Sequence, residues 1–403
     1  MNLKKEVTTL VRKIEDKVIK IRRKIHQYPE LGFEEIKTAQ LVSEELKRLG
    51  FEVHSNYGGT TGVVGVIEGN KPGSTQALRA DMDALAINEE TGLSFSSKIP
   101  GQMHACGHDA HTAILLGTAH LLSQLQSQLR GKVVLVFQPA EEGHAGAKTL
   151  IDKGLIKEFG IKTMFGHHLW PELPLGVFAT KPEVLTGTSD RITIEVQGQS
   201  AHAAKPNLGI DSIVIASHLI LACQELVSRE ISPLDSIVIT FGSIKSGDAY
   251  NIIPKKAVIE GTVRALSSKV QDYVERRLEE IVKGVTATFR AKGKLNYHRV
   301  YPSVINHPIL TSQVVKWAEE FWGKKKTIRM SNPTLVAEDF SFYSSKIPAC
   351  FGLLGIGGKS GLHSSHFVLD ESILSLGVAW TTYLAIRSSI ILHNKLNEHY
   401  LIC

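Results

Sequence analysis

The chain has 403 residues, 43% hydrophobic and 21% charged, with a formal net charge of +6. That length holds two or three ordinary domains with their own cores, and no window reaches the roughly 18 apolar residues of a membrane span. The charge is spread out, with one lysine triplet at 324–326 and no aromatic residues interleaving a basic stripe, which argues against nucleic-acid binding.

The first stretch, MNLKKEVTTLVRKIEDKV, is charged throughout and lacks the apolar centre of a signal peptide. Four widely separated cysteines (Cys106, Cys223, Cys350 and Cys403) do not make a disulfide framework, so a reducing cytoplasm is expected. Of the 17 histidines, only those at 104–111, 167–168 and 363–366 cluster, and these mark where chemistry is to be sought.

In chain order, Val7, Leu10, Val11, Ile14, Val18, Ile21 and Ile25 recur at steps of three and four, predicting an amphipathic helix over 6–27 that Pro29 stops. A second helix is expected over about 34–49, closed by Gly50. Short β-type runs follow, then a strand over 74–79 and the loop Ala80-Asp81-Met82-Asp83-Ala84-Leu85. A long polar loop leads to Met103-His104-Ala105-Cys106-Gly107-His108-Asp109-Ala110-His111, and a helix is predicted over 110–129. The near-continuous apolar run 132–137 reads as a strand buried on both faces, ending in Gln138-Pro139-Ala140-Glu141-Glu142-Gly143. A helix over about 145–156 and a strand over 162–165 then run into Gly166-His167-His168-Leu169-Trp170-Pro171.

Alternating helix and buried strand is the α/β signature, and in such sheets functional groups gather beyond the carboxyl ends of strands. The segments 81–83, 104–111, 141–142 and 167–168 each follow or flank such an end and can converge. The pattern changes near 187: strand 190–197, helix 209–229, strands 236–244 and 256–265, helix 267–291 and strand 294–301. This β-α-β-β-α-β order matches the ferredoxin-like arrangement. The expected fold class is therefore α/β: a catalytic domain of 1–186 and 303–403 with a mixed, largely parallel sheet flanked by helices, and a ferredoxin-like domain of 187–302 inserted into it.

Thiolate, imidazole and carboxylate are the ligand set of a borderline-soft divalent ion such as zinc. Cys106 and His108 stand one residue apart, so in an extended segment both point to one side and can share a metal. Glu141 and Glu142 sit on a turning backbone, where one carboxylate can bind metal while the other faces an attacking water. His167 or His168 offers another imidazole, and His363 or His366 a late one. Asp81 and Asp83 suit the task of fixing imidazole tautomers and ligand orientation. Two other motifs fail. Gly358-Lys359-Ser360 lacks the glycine that a phosphate-binding loop needs at 353, where Leu353 stands, and no G-x-S-x-G elbow exists.

Taken together, Arg23-Lys24-Ile25-His26-Gln27-Tyr28-Pro29-Glu30, Leu78-Arg79-Ala80-Asp81-Met82-Asp83-Ala84-Leu85, the 103–111 cluster and Phe137-Gln138-Pro139-Ala140-Glu141-Glu142-Gly143 form a recognisable series. It continues through Gly198-Gln199-Ser200-Ala201-His202-Ala203-Ala204, Asn251-Ile252-Ile253-Pro254, Gly261-Thr262-Val263-Arg264, Ala337-Glu338-Asp339-Phe340 and Leu362-His363-Ser364. With it the chain resembles the M20 metallopeptidase family, in the amidohydrolase branch of hippurate hydrolases, auxin-conjugate hydrolases and bacterial N-acyl-amino-acid amidohydrolases.

The resemblance implies two divalent metal ions held by Cys106, His108, Glu142, His168 and His363, with Glu141 as general base. Zinc or manganese is expected, with cobalt or nickel as alternatives. It implies a lid and dimerisation domain whose His202 reaches the partner subunit's active site in a homodimer, and Asn251 and Arg264 as substrate contacts. Asp83, and less directly Asp81, matches the support of the metal shell. The family usually has Leu where His167 stands and His-Ser-Pro-aromatic where this chain has His363-Ser364-Ser365-His366. The expected reaction is hydrolysis of an N-acyl amino acid to a carboxylic acid and a free amino acid. The alternatives are a specific deacetylase such as an N-acetyl-diaminopimelate deacetylase, a dipeptidase or carboxypeptidase, or a catalytically silent binding protein. No nucleic-acid or membrane partner is expected.

Overall fold

The apolar run that follows Gly131 is the middle of an eight-stranded sheet. In the computed structural model, which describes residues 3–358 and 360–389, Val133 to Phe137 are fully buried on both faces. Lys359 and Cys403 lie outside the described residues. The sheet runs in the order Glu52–His54, Val63–Glu68, Lys132–Gln138, Gln76–Asp81, Thr163–Trp170, Ala349–Gly355, Phe178–Thr180 and Thr327–Arg329. Its four central strands are mutually parallel, while Val63–Glu68 and Phe178–Thr180 run antiparallel to the strands they border in that core. The sheet is mixed, as expected.

Register decides which residues meet at the carboxyl ends. Asp81 pairs with Gln138, Arg79 with both Val136 and Gly166, and His168 with Leu353. The turns after three strands therefore emerge side by side. Against the sheet packs the helix His108–Gln124, buried from His108 to Leu122, with the helices Glu15–Gln27 and Ser372–Ser388 beside it.

The chain divides into two compact units. One comprises residues up to Leu185, Ile305–Asn332 and the chain from Asp339 onward; the other comprises Thr186–Val304 with Pro333–Glu338. The second unit has a four-stranded antiparallel sheet ordered Ile237–Ser246, Lys256–Ala265, Ser189–Gln197, Lys292–Tyr301. Its helices are Ser212–Glu225 and Ser268–Thr288, started by Asp211 and Ser267, whose side chains accept backbone N–H groups of the first turn. Ile192, Ile194 and Val196 alternate inward along Ser189–Gln197, giving the sheet one buried face. The stretch Ser212–Glu230 is, among the described residues, the one helix long and apolar enough by length and composition to cross a membrane. Its Ile215, Ala216, Leu219, Cys223 and Leu226 belong to the core of this unit.

Several expectations are corrected. The predicted helix over 6–27 is two helices, Leu3–Arg12 and Glu15–Gln27. Apolar spacing runs unbroken through the join, and the missed signal was Glu15-Asp16, acidic residues suited to a new first turn. The strand expected at 74–79 is Gln76–Asp81, so Asp81 ends the strand instead of following it. The helix expected at 145–156 is split into Gly146–Asp152 and Leu155–Glu158. The strand expected to stop at 165 continues to Trp170, so His167 and His168 are strand residues.

Candidate metal centre

Cys106 and His108 meet, though not by the expected route. The segment is not extended: Gly107 has φ 86°, a left-handed turn that glycine adopts without strain, and His108 opens the following helix. The turn sets the buried Cys106 thiol beside the first imidazole of the helix, and the donor atoms of Cys106, His108 and His168 lie within 4.8 Å of one another.

Because neighbouring strand residues face opposite sides, only one of His167 and His168 can point at this cluster. His168 does. Its Nε2 is 3.3 Å from the Cys106 sulfur, while its Nδ1 donates to the Leu169 carbonyl at 2.6 Å. That bond assigns the proton to Nδ1 and leaves the Nε2 lone pair directed inward. His167 belongs to none of the metal-capable groups found among the described residues.

His108 is oriented in the same manner. Its Nδ1 lies 3.2 Å from Asp83 Oδ1, and its buried Nε2 has no hydrogen-bond partner. A buried imidazole nitrogen without a partner is costly unless something else takes its lone pair. His111, three residues on, is saturated: Nδ1 is 2.6 Å from Asp81 Oδ1, and Nε2 accepts the Leu169 N–H at 3.0 Å. It braces the cluster and has no free nitrogen.

Glu141 and Glu142 occupy a turn entered through Ala140, which has φ 56°, and left through Gly143. Glu142 shares a group with Cys106 and His363, and both glutamates share one with His108. His363 Nε2 lies 3.0 Å from Glu142 Oε1, and the His363 N–H donates to the Ala105 carbonyl at 2.9 Å, tying the late loop directly to the cysteine turn. His366 instead points to Glu90, at 3.7 Å. Thus the structure brings together Cys106, His108, Glu141, Glu142, His168 and His363, with Asp83 bonded to the His108 imidazole and Asp81 to that of the neighbouring His111, and leaves His366 aside.

The electrostatics call for a cation. Burial pushes the Cys106 thiol well up, and Glu142, Glu141 and Asp81 push it further. Burial would hold the His108 imidazole neutral, but Asp81, Asp83 and Glu142 raise its pKa to about 10. Burial keeps His168 uncharged, well below the usual histidine range. Carboxylates, a thiol and an imidazole nitrogen that lacks a hydrogen-bond partner and faces Asp81 at 3.6 Å fit a divalent ion.

Sequence reasoning missed two residues. Arg79 is buried, donating to Asp81 at 2.7 Å and to Asp339 at 2.9 Å; Asp339 also receives the Gln138 amide, and its own N–H lies 3.4 Å from Glu141 Oε1. Both lie in quoted motifs, but nothing in spacing showed that they pair.

His202, Asn251 and Arg264 belong to the second unit. His202 is exposed, its Nδ1 accepting the Ala204 N–H at 3.0 Å, and Asn251 is exposed beside it, its carbonyl accepting the Ala203 N–H. Arg264 is half-buried; burial lowers its pKa, and Asp190 and Tyr301 oppose that.

The model of peptidase family M20/M25/M40 matches residues 77–387. The chain is 40% identical over 397 residues to thermostable carboxypeptidase 1 of Saccharolobus solfataricus, covering 96% of this chain and 100% of that one. It is 40% identical over 361 residues to the N-acetyl-L-cysteine deacetylase of Bacillus subtilis, covering 90% and 85%. Among solved structures, the YXEP protein of Bacillus subtilis, described as a dinuclear metal-binding peptidase, is 32% identical with a TM-score of 0.82, covering 94% of this chain and 99% of that one.

Proposed function

We propose that this chain, which belongs to peptidase family M20/M25/M40 and is a metal-dependent amide hydrolase, releases free amino acids from N-acyl-L-amino acids of the N-acetyl or N-benzoyl type. The observation that carries the reading is the convergence of Cys106, His108, Glu142, His168 and His363 beside a second carboxylate, Glu141.

We assign two divalent ions, zinc or manganese, to those five residues. When bound they supply charge that polarises the scissile carbonyl and lowers the pKa of an attacking water toward ~7. Glu141 takes the proton of that water and returns it to the leaving amine, a role worth about 10²–10⁴-fold. The N–H of Asp339, 3.4 Å from Oε1, helps to orient it. Asp83 and Asp81 keep the imidazoles in register. The resemblance further supports His202 as an oxyanion donor from the partner subunit of a homodimer, and Asn251 and Arg264 as substrate contacts. A fork-shaped guanidinium such as Arg264 suits the carboxylate common to all these substrates. Buried free thiols at Cys106, Cys223 and Cys350 suit a reducing cytoplasm.

The carboxypeptidase relative favours a second reading, in which the acyl group is a peptide. The experiment is metal analysis of purified protein, followed by amine release from N-acetyl-, N-benzoyl- and peptidyl-amino acids with zinc, manganese, cobalt or nickel restored after chelation. Preference for the simple acyl groups supports the proposal. Preference for peptidyl substrates replaces it with the second reading, and inertness on all three removes both.

A further inference from the structure

Ala140, directly before Glu141, has φ 56° and ψ 48°, a region that residues with a Cβ rarely enter. Its N–H donates at 2.8 Å to Oε1 of Glu35, and its carbonyl accepts from Gly146 at 3.0 Å. Glu35 is fully buried, and its other oxygen receives a hydrogen bond from the Thr61 hydroxyl. No basic side chain pairs with it among the described residues.

Glu35 stands just before the helix Ile36–Arg48, yet its side chain makes no capping bond there. That task falls to Glu30, which accepts the N–H groups of Lys37 and Thr38 at 2.9 Å each. The Glu35 carboxyl is thus turned inward, at the cost of burying it, where burial raises its pKa to about 7 and Asp83 adds to the rise. On the far side of Glu141, the Glu142 N–H is accepted by Asp83 Oδ2 at 2.9 Å. The two amides flanking Glu141 are each held by a buried carboxylate. The segment 30–35 also docks on both neighbours of the site: the Glu30 carbonyl accepts the Ala84 N–H at 2.8 Å, and a Cβ at Gly32 would come within 3.1 Å of Ala140.

We propose that Glu35 is a positioning residue for Glu141, holding Ala140 in its left-handed conformation so that the carboxylate of Glu141 is aimed. The proposal rests on Glu141 being the general base, and Glu141→Gln is therefore measured in parallel.

The test compares kcat, KM, bound metal and Tm for Glu35→Met, Glu35→Gln and Glu35→Met with Ala140→Gly, on an N-acetyl-amino acid. Glu35→Met fills the space but offers no acceptor; it loses on the order of 10²-fold in kcat, with KM within about twofold and metal content unchanged. Glu35→Gln keeps an acceptor for the Ala140 N–H and retains kcat. Adding Ala140→Gly to Glu35→Met restores kcat, because glycine takes φ near 56° without a clamp. Full kcat in Glu35→Met overturns the proposal, as does a folded double variant that recovers nothing. Where Glu35→Met is poorly soluble, the folded double variant decides: kcat near that of the parent supports the proposal, and kcat still lowered on the order of 10²-fold overturns it. Normal turnover of Glu141→Gln removes the base assignment itself, whereas inert Glu141→Gln beside unimpaired Glu35→Met removes only the role of Glu35.

Discussion

Asp83 lies with Oδ1 3.2 Å from Nδ1 of His108, and its second oxygen accepts the backbone N–H of Glu142 at 2.9 Å. One carboxylate therefore orients two candidate ligands from different segments. Asn at this position can accept with only one of its two terminal atoms, so either the His108 tautomer or the Glu142 turn loses its partner. Asp83→Asn is expected to weaken metal binding by about 10–100-fold, read by competition with a chromogenic chelator. Parental affinity would remove Asp83 from the metal shell.

Glu141→Gln preserves size and packing but cannot accept a proton. The variant is expected to keep its metal, since Cys106, His108, Glu142, His168 and His363 remain. Turnover should fall by about 10²–10⁴-fold. Metal analysis and kcat on the same preparation check both halves, and normal turnover would exclude Glu141 as the base.

How much of this was legible beforehand follows from the range of each interaction. Val133 to Phe137 announce a doubly buried strand by composition alone, and Cys106, His108 and Glu141-Glu142 announce metal chemistry by residue type. What spacing does not carry is the contact between distant segments. Arg79 and Asp339 are 260 residues apart and pair only because two strands and a loop bring them together. His167 and His168 are equal as letters, and separate only once the strand is seen to extend to Trp170, putting them on opposite faces. Cys106 and His108 come together on a backbone that their spacing does not announce, since Gly107 turns the chain where an extended segment is expected.

Arg79 joins two buried carboxylates. Burial would raise the pKa of Asp81, but Arg79, His108 and His111 together hold it well below the usual range. Arg79→Met leaves Asp81 and Asp339 facing one another's environment without their shared cation. Breaking a buried pair in this way costs about 3–5 kcal/mol, to be read as a lowered urea midpoint. Arg79→Lys restores charge but not the fork that reaches both carboxylates, and is expected to recover only part of the loss. A midpoint unchanged in Arg79→Met would show that the carboxylates are compensated elsewhere.

Glu35 gives a pH signature of its own. Its folded pKa is raised to about 7, against an unfolded value near ~4.3. Between those values the folded chain holds a proton that the unfolded chain has released, so stability falls with rising pH. The contribution is fully present below the unfolded value and is lost as pH passes through about 7; Asp83 is the charged neighbour that adds to the shift. Glu35→Gln cannot ionise and escapes this loss. Its Tm relative to the parent is expected to rise from pH 5 to about 7 and to level off above that, under constant metal. A difference that stays flat across that range would mean that Glu35 keeps an ordinary carboxylate pKa.

The proposed trans role of His202 makes a prediction that no single-subunit role shares. The side chain is exposed in the second unit, and its loss removes a donor to the developing oxyanion, a defect on the order of 10²–10³-fold in kcat. Glu141→Gln is inert for a different reason. In a hybrid dimer one site combines both defects, while the other has an intact Glu141 and an intact His202 from the opposite subunit. Mixing His202→Ala with Glu141→Gln under conditions shown to exchange subunits should restore up to about a quarter of the activity per subunit, because half the dimers are hybrids with one complete site each. Activity that stays at the level of the separate variants in such a mixture would place His202 in the same subunit as the site it serves, or outside catalysis altogether.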